Sequence, residues 1–256
     1  MYQDILYTVQ DDVARITINR PEVLNAFTPR TLDEMQDALV KAGADKEVGV
    51  VVITGAGERA FCAGGDINWE QTDEFQAHEY ELHHYIVDCP KPVIARVNGY
   101  AIGGGNHMAY MCDLTIAAEH AIFGQNGPRI GSPASGATVA QSANILGHKR
   151  AREMWMTCRR YSAQHMLGWG LVNAVVPYAE LDAEVRRFAD DILKASPTGL
   201  AILKATFKDH MAPIIGLRQD ETVRRVAPDY FQTGEQEEGT RAFFEKRPAN
   251  FRPFRR

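Results

Sequence analysis

The residues whose types and spacing suit chemistry lie mainly in two glycine-rich segments, Phe61-Cys62-Ala63-Gly64-Gly65-Asp66 and Gly99-Tyr100-Ala101-Ile102-Gly103-Gly104-Gly105-Asn106-His107. Each follows an apolar, strand-like run. Each puts residues without side chains where the backbone must turn or be approached closely. Two such loops can aim two backbone N–H groups at one oxygen. That arrangement is an oxyanion hole, in which fixed donors hold negative charge better inside a dry pocket than water does. A helix that begins near Gly104 adds the positive end of its dipole. Two plainer readings stand beside this one. The glycines make tight turns only, or they cradle a phosphate, although neither loop shows G-x-x-x-x-G-K-[ST] or G-x-G-x-x-G spacing in a suitable context.

The elements that must position these loops are legible in outline. Val13 to Ile18 alternates with period two, and Val48 to Gly55 is a β-branched run closed by glycine, so both read as strands. Between them Thr31 to Ala42 places Leu32, Met35, Ala38 and Leu39 on one face of a helix, with Thr28-Pro29 as N-cap and first-turn proline. Pro92 to Val97 and Leu114 to Ala118 are two further strands. From about Lys149 the pattern turns helical, over Lys149–Cys158, Ser162–Gly168, Tyr178–Lys194 and Pro197–Met211. The series predicts an α/β core followed by helices. Residues 68–88 are polar and aromatic without a clear period and read as a covering loop, in part a helix carrying Tyr80, His83, His84 and Tyr85 before Pro90. His83 and Trp69 either line a pocket or belong to a solvated helix face and a loop anchor. No internal repeat is visible.

Composition bounds the rest. The 256 residues are 45% hydrophobic and 24% charged, with 28 Lys+Arg against 33 Asp+Glu, which describes a chain that buries a core and lacks the basic field a nucleic-acid backbone needs. Cys62, Cys89, Cys112 and Cys158 are scattered without a C-x-x-C pair, which argues against a zinc site or a dithiol motif. No basic n-region with an apolar stretch opens the chain and no apolar run approaches a membrane span. The expectation is a cytoplasmic protein without nucleic-acid or membrane partners.

At its motif residues the chain resembles the crotonase, or enoyl-CoA hydratase/isomerase, superfamily. The resemblance runs nearly end to end: Asn19-Arg20-Pro21 with Leu24-Asn25-Ala26, Ala60 to Asp66, Pro90 to Ala95, Asn98-Gly99, Gly103-Gly104-Gly105, Cys112-Asp113, Phe123-Gly124-Gln125, Gly170-Leu171-Val172, and Glu245-Lys246-Arg247 with Phe251. It implies a crotonase-like spiral of ββα units over residues 1–195 and a helical trimerisation region over 196–256, the assembly being a homotrimer or a hexamer of two trimers. It implies acyl-CoA substrates whose thioester oxygen is held by the N–H groups of Gly65 and Gly104. The CoA moiety would lie near Val23, Leu24, Ala26, Ala63, Asp66 and Ile67, with Phe244 and Lys246 arriving from a neighbouring subunit. Tyr230 is expected either to enter a neighbour's site or to be an exposed phenol.

Hydratases that resemble this chain keep one glutamate two residues after the third glycine and another two residues after the Phe-Gly-Gln glutamine. Here those places hold His107 and Gly127. Segments 123–132 and 149–155 look like 2-ketocyclohexanecarboxyl-CoA hydrolase and 1,4-dihydroxy-2-naphthoyl-CoA synthase, with further stretches leaning towards the hydrolase. Both subfamilies usually carry an aspartate two residues beyond Gly131-Ser132, where this chain has Ala134. His107 is the compensating candidate, since an imidazole of pKa about 6.5 suits a general base near neutral pH. Taken alone, a histidine in an apolar stretch is more often a hydrogen-bonded core residue. Ser132 is a candidate for bonding a substrate carbonyl, and Gln125 with Gly127 for holding a small anion such as bicarbonate. The leading expectation is hydrolytic ring opening of a cyclic β-keto acyl-CoA, with CoA as part of the substrate and no metal or redox cofactor required. The alternatives are a lyase of the hydratase or naphthoyl-CoA synthase type, and a non-catalytic acyl-CoA-binding protein.

Overall fold

Asp11 and Asp12 take left-handed φ values of 50° and 63°, as a two-residue hairpin turn requires and as Asp tolerates better than most residues. They join β1 (Ile5–Gln10) to β2 (Val13–Ile18) as an antiparallel pair with Gln10 opposite Val13. On β2 the expected alternation is real, because Ala14, Ile16 and Ile18 are fully buried and the residues between them are not. The computed structural model describes residues 1–70, 72, 82–217 and 219–255.

The chain then winds through β3 (Val50–Gly55), β4 (Ala60–Cys62), β5 (Val93–Val97), β6 (Tyr100–Ile102), β7 (Leu114–Ala118), β8 (Ile122–Gly124), β9 (Arg160–Ser162) and β10 (Ala174–Val176). From β3 to β8 successive strands alternate between two sheets. The larger runs β1-β2-β3-β5-β7-β10 and the smaller β4-β6-β8-β9. One turn of the path is therefore a strand in the large sheet, a strand in the small one, and a helix. β3 and β4 lead to helices Ile67–Glu70 and Leu82–Asp88, and β5 and β6 to helix Gly104–Met111. From β2 onward the large sheet is parallel. Parallel strands covered on both faces read as continuous apolar runs, and β3 and β5 are buried at every residue.

The described chain divides into two compact units, Met1–Phe123 with Tyr161–His210, and Gly124–Arg160 with Met211–Arg256. The helical region expected over 196–256 begins in the first and ends in the second. In the first unit, Val50, Val52, Ile94, Ile116 and Ala118 pack against Leu181, Val185 and Ala189 of helix Leu181–Leu193, each large side chain contributing about 1.5–3 kcal/mol on burial. Helix Pro29–Ala44 starts at a capping box between Thr28 and Thr31 and buries Leu32, Met35, Ala38 and Leu39, the face expected from its spacing. Buried Arg96 on β5 makes two bonds of 2.8–2.9 Å to Asp182 at the start of helix Leu181–Leu193. Buried Lys204 bonds Asp113 and the Lys91 carbonyl at 2.7 and 2.9 Å, and Asp113 in turn accepts the Val93 N–H. Those bonds explain the Pro-Lys-Pro and Cys-Asp motifs as pins on β5 and β7.

The second unit is helical, with Gly136–Leu146, His148–Thr157, Gln219–Val226 and Glu235–Phe244. Helix Gly136–Leu146 has no counterpart in the sequence reading. Its Gly-Ala-Thr-Val-Ala-Gln-Ser-Ala composition lacks an apolar stripe, and it buries small or polar Ala137, Gln141 and Ser142 with a single large apolar residue, Leu146, at its end. Of the expected loop 68–88, the ends are helical. Residues 71 and 73–81, Tyr80 among them, lie outside the described residues. No helix among the described residues is long and apolar enough to cross a membrane.

Candidate active site

The main chain of Phe27 brackets Gly65. Its N–H donates to the Gly64 carbonyl at 2.9 Å and its carbonyl accepts the Asp66 N–H at 2.8 Å, so the N–H of Gly65 itself points to the opposite side of this strand-like bridge. The second donor is Gly104. It is the first residue of helix Gly104–Met111, whose first intrahelical bond is His107 N–H to Gly103 O at 3.0 Å, and first-turn N–H groups have no acceptor within their helix. The two loops adjoin. A methyl group on Gly104 would lie 2.6 Å from the Phe27 ring, and one on Gly64 would lie 3.5 Å from the Gly104 nitrogen. Gly105 is tighter still, since a methyl there would fall 2.0 Å from the Cys62 carbonyl oxygen. Gly64 and Gly105 are buried, whereas Gly65 and Gly104 are half-exposed. Gly65 and Gly104, the donors expected from the sequence, are thus the more accessible of these glycines, and at Gly104 and Gly105 the packing leaves no room for a side chain.

Two fully buried asparagines hold this wall in place. Asn25 Nδ2 donates to the Ala56 and Ala60 carbonyls at 3.0 and 2.7 Å, and Asn98 Nδ2 to those of Gly55, Gly57 and Ala60 at 2.6–3.0 Å. Both therefore fix the turn into β4 that delivers Gly64 and Gly65. Leu24 and Asn25 sit at φ 55° and 56°, and the Leu24 carbonyl accepts the Ala63 N–H at 3.1 Å. Arg20 donates to the Ala26 carbonyl and lies 3.3 Å from Asp66. Val23 is exposed, Leu24, Ala63, Asp66 and Ile67 are half-exposed, and Ala26 is buried. These six residues of the CoA expectation fall on neighbouring segments beside the glycine wall.

His107 occupies the fourth position of its helix and is half-exposed, its ring centroid 5.7 Å from that of Tyr110. Burial drives the Tyr110 phenol well above its usual pKa, so it stands beside the imidazole as a neutral hydroxyl. Spacing of three on a helix would have pointed to Tyr110. Helix Leu82–Asp88 packs against helix Gly104–Met111 and carries half-exposed His83. Burial, then His84 and His107, lower the His83 pKa to about 4, leaving it neutral at pH 7. Trp69 is buried, edge-on to Phe27 at 6.3 Å between ring centroids. The Cys62 thiol, pushed up to about 12 by burial, is no nucleophile at neutral pH. No group of metal-ligating side chains occurs among the described residues.

The remaining expected residues belong to the second unit. Gln125 is fully buried and precedes the 3-10 turn Gly127–Ile130. Ser132 is half-exposed, and its N–H closes that turn on the Gly127 carbonyl at 2.9 Å. The Tyr230 hydroxyl donates to the Gly131 carbonyl next to Ser132, and burial raises its pKa to about 12. Phe244 is exposed at the end of helix Glu235–Phe244, and Lys246 follows at φ 53°. Nearby Glu238 accepts bonds from Arg241, Arg247 and the Asn250 N–H, which hold its carboxyl well below the usual range.

A family model described as enoyl-CoA hydratase/isomerase matches residues 8–253. The chain belongs to the enoyl-CoA hydratase/isomerase family. Among solved structures it is similar to an enoyl-CoA hydratase from Mycobacterium avium subsp. paratuberculosis K-10, at 32% identity over 98% of this chain and 99% of that one, with a TM-score of 0.85. A carnitinyl-CoA hydratase from Mycobacterium avium is 31% identical over 99% and 100% of the two chains, TM-score 0.84. Methylmalonyl-CoA decarboxylase in complex with 2-nitronate-propionyl-CoA is 25% identical over 98% and 99%, TM-score 0.89. The expected fold class, a crotonase-like α/β spiral with C-terminal helices, is the fold of this family. The protein is an acyl-CoA-processing crotonase.

Proposed function

We propose that this crotonase opens the ring of a cyclic β-keto acyl-CoA by hydrolysis, with His107 as the proton carrier. The observation that carries the reading is the placement of an imidazole three residues along the helix that Gly104 begins, where that helix adjoins the Gly64-Gly65 loop. The proposed course is as follows. The thioester oxygen accepts from Gly65 and Gly104. His107 takes a proton from water as the water oxygen bonds to the ring ketone carbon. The bond from that carbon to the α-carbon breaks, its electron pair forming a thioester enolate and the former ketone becoming a carboxyl group. His107 returns the proton to the α-carbon, so one water is added overall. Donors fixed before the reaction stabilise the enolate without reorganising.

Val23, Leu24, Ala26, Ala63, Asp66 and Ile67 would bind the CoA moiety, and Trp69 and His83 would line the acyl pocket; in the second unit, Ser132, Gln125, Gly127 and Tyr230 are the candidates for binding a substrate carbonyl or a small anion. Phe244 and Lys246 would reach the CoA of a neighbouring copy in a homotrimer or a hexamer of two trimers. The reaction calls for no metal or redox cofactor. Hydration of an alkene is the second reading, favoured by the 32% identity with an enoyl-CoA hydratase and weakened by the absence of carboxylates at positions 107 and 127.

Mass spectrometry of the purified protein with 2-ketocyclohexanecarboxyl-CoA and, in parallel, crotonyl-CoA separates these readings. One water gained on the cyclic ketone, with fragments of an open dicarboxylic chain, supports ring opening. Water gained only on crotonyl-CoA replaces it with hydration. Measurable CoA affinity without turnover of either thioester favours a binding protein.

A further inference from the structure

Phe27 meets both donor loops, with different parts of the same residue. Its main chain brackets Gly65, the N–H donating to the Gly64 carbonyl at 2.9 Å and the carbonyl accepting the Asp66 N–H at 2.8 Å. Its ring stands where a side chain of Gly104 would be, Cε1 and Cζ each 2.6 Å from the place of a methyl group there. We propose that Phe27 is a positioning residue for the oxyanion hole, one that sets the spacing between the two donors, its main chain fixing Gly65 and its ring fixing Gly104. This role rests on the reading of those two N–H groups as donors to a thioester oxygen, and it holds equally for ring opening and for hydration.

Two donors act on one oxygen only while their separation and direction are held, and these two come from different loops, one after β4 and one after β6. Something stiff must span them. A phenylalanine ring is joined to its own main chain through two side-chain torsions, each confined to a few wells. Here the ring is 1% exposed and lies edge-on to buried Trp69 of helix Ile67–Glu70, so close packing holds it in one orientation. Gly104 has no Cβ, and the ring therefore packs directly on its backbone at the first turn of helix Gly104–Met111. The next residue, Gly105, meets the Cys62 carbonyl at the end of β4. The start of the helix is thus seated on β4 at Gly105 and on the Phe27 ring at Gly104. Shortening the ring side chain would let the Gly104 N–H settle towards the vacated space while the bracket around Gly65, made by main chain alone, stays in place. A misplacement of about 1 Å is enough to cost about 10² in rate.

Leucine and methionine at position 27 separate positioning from packing. The two fill a core about equally and keep the main-chain bonds to Gly64 and Asp66, but Phe27→Leu ends short of Cε1 and Cζ whereas Phe27→Met reaches that far. The direct readout is the infrared band of bound butyryl-CoA isotope-labelled at its thioester carbonyl, a saturated thioester that neither reaction consumes. Hydrogen bonds to the carbonyl oxygen lower its stretching frequency, so in the native protein the band is expected below that of the free thioester. Phe27→Leu should return it about halfway, one donor of two being displaced, and lower kcat on the thioester that is turned over by about 10–10² with KM nearly unchanged. Phe27→Met should keep most of both. Phe27→Ile, equally short, takes the place of Phe27→Leu if circular dichroism shows that variant unfolded. A native band and native kcat in the short variant overturn the role, and so does an equal loss in the leucine and methionine variants, which would mean that core packing alone is at work. A carbonyl that absorbs in the native protein as it does free in solution takes down the reading of Gly65 and Gly104 as donors, and the role of Phe27 with it.

Discussion

At the scale of single residues, the candidate site turns on what two glycines lack and one histidine has. Replacing Gly104 with Ala puts a methyl group 2.6 Å from the Phe27 ring, so either the ring or the start of the helix must shift. Displacing one oxyanion donor is expected to lower kcat by about 10²–10³, whereas the chain stays folded because overpacking of this size costs about 1–3 kcal/mol. Steady-state turnover alongside circular dichroism checks this, and a folded variant with native kcat would remove Gly104 from the hole. His107→Ala should lower kcat by about 10² or more with CoA affinity retained, measured as turnover and as CoA binding by calorimetry. Unchanged turnover would take His107 out of the reaction. Gly65, Gly104 and His107 could be singled out from sequence because glycine runs and a lone imidazole are conspicuous. Phe27 could not, because its hold on Gly65 is made by its main chain, and main-chain geometry leaves no mark in side-chain identity.

At the scale of elements, the site stands on connections made by buried polar side chains. Asp182 joins helix Leu181–Leu193 to Arg96 on β5 and to Arg15 on β2, at 2.7–2.9 Å. Burial pushes its carboxyl up, but the bonds from Arg96 and Arg15 outweigh that and hold it below the usual range. A carboxyl depressed on folding stabilises above its unfolded pKa of about 3.9 and loses that contribution as pH falls through the folded value. Asp182→Asn is therefore expected to cost about 1 kcal/mol near pH 7, half-exposure of the aspartate limiting the effect, and the difference should shrink below about pH 4. Urea unfolding at pH 7 and pH 3.5 checks it, and an equal cost at both would mean that charge is not the source. Strands β2, β3, β5 and β7 were legible because their apolar patterns are strong. The three-residue strands of the small sheet were not, since three residues carry no period, and β1 alternates weakly because only Ile5 is buried.

At the scale of the whole molecule, the spiral is a repeat of path rather than of residues, which is why no internal repeat shows in the sequence. The exposed apolar side chains Ile202, Leu203 and Phe207 on helix Pro197–Ile215 are the kind that a second copy covers, since burying a phenylalanine is worth about 1.5–3 kcal/mol. Light scattering on purified protein is expected to give the mass of a trimer or hexamer, and Phe207→Glu a smaller species; a monomeric native protein would overturn the assembly. By itself the sequence determined the α/β class, the helix bearing the N-capping threonine and the family, and put forward the glycines and histidine of the candidate site, because each rests on side-chain type at short spacing. Only the tertiary structure decided that the N–H of Gly65 faces away from Phe27, that Asn25 and Asn98 clamp one carbonyl, and that helix Leu82–Asp88 packs against the helix that bears His107. Those relations join segments tens of residues apart, and their physical content is direction and distance, which the chain acquires only when the two sheets and their helices pack.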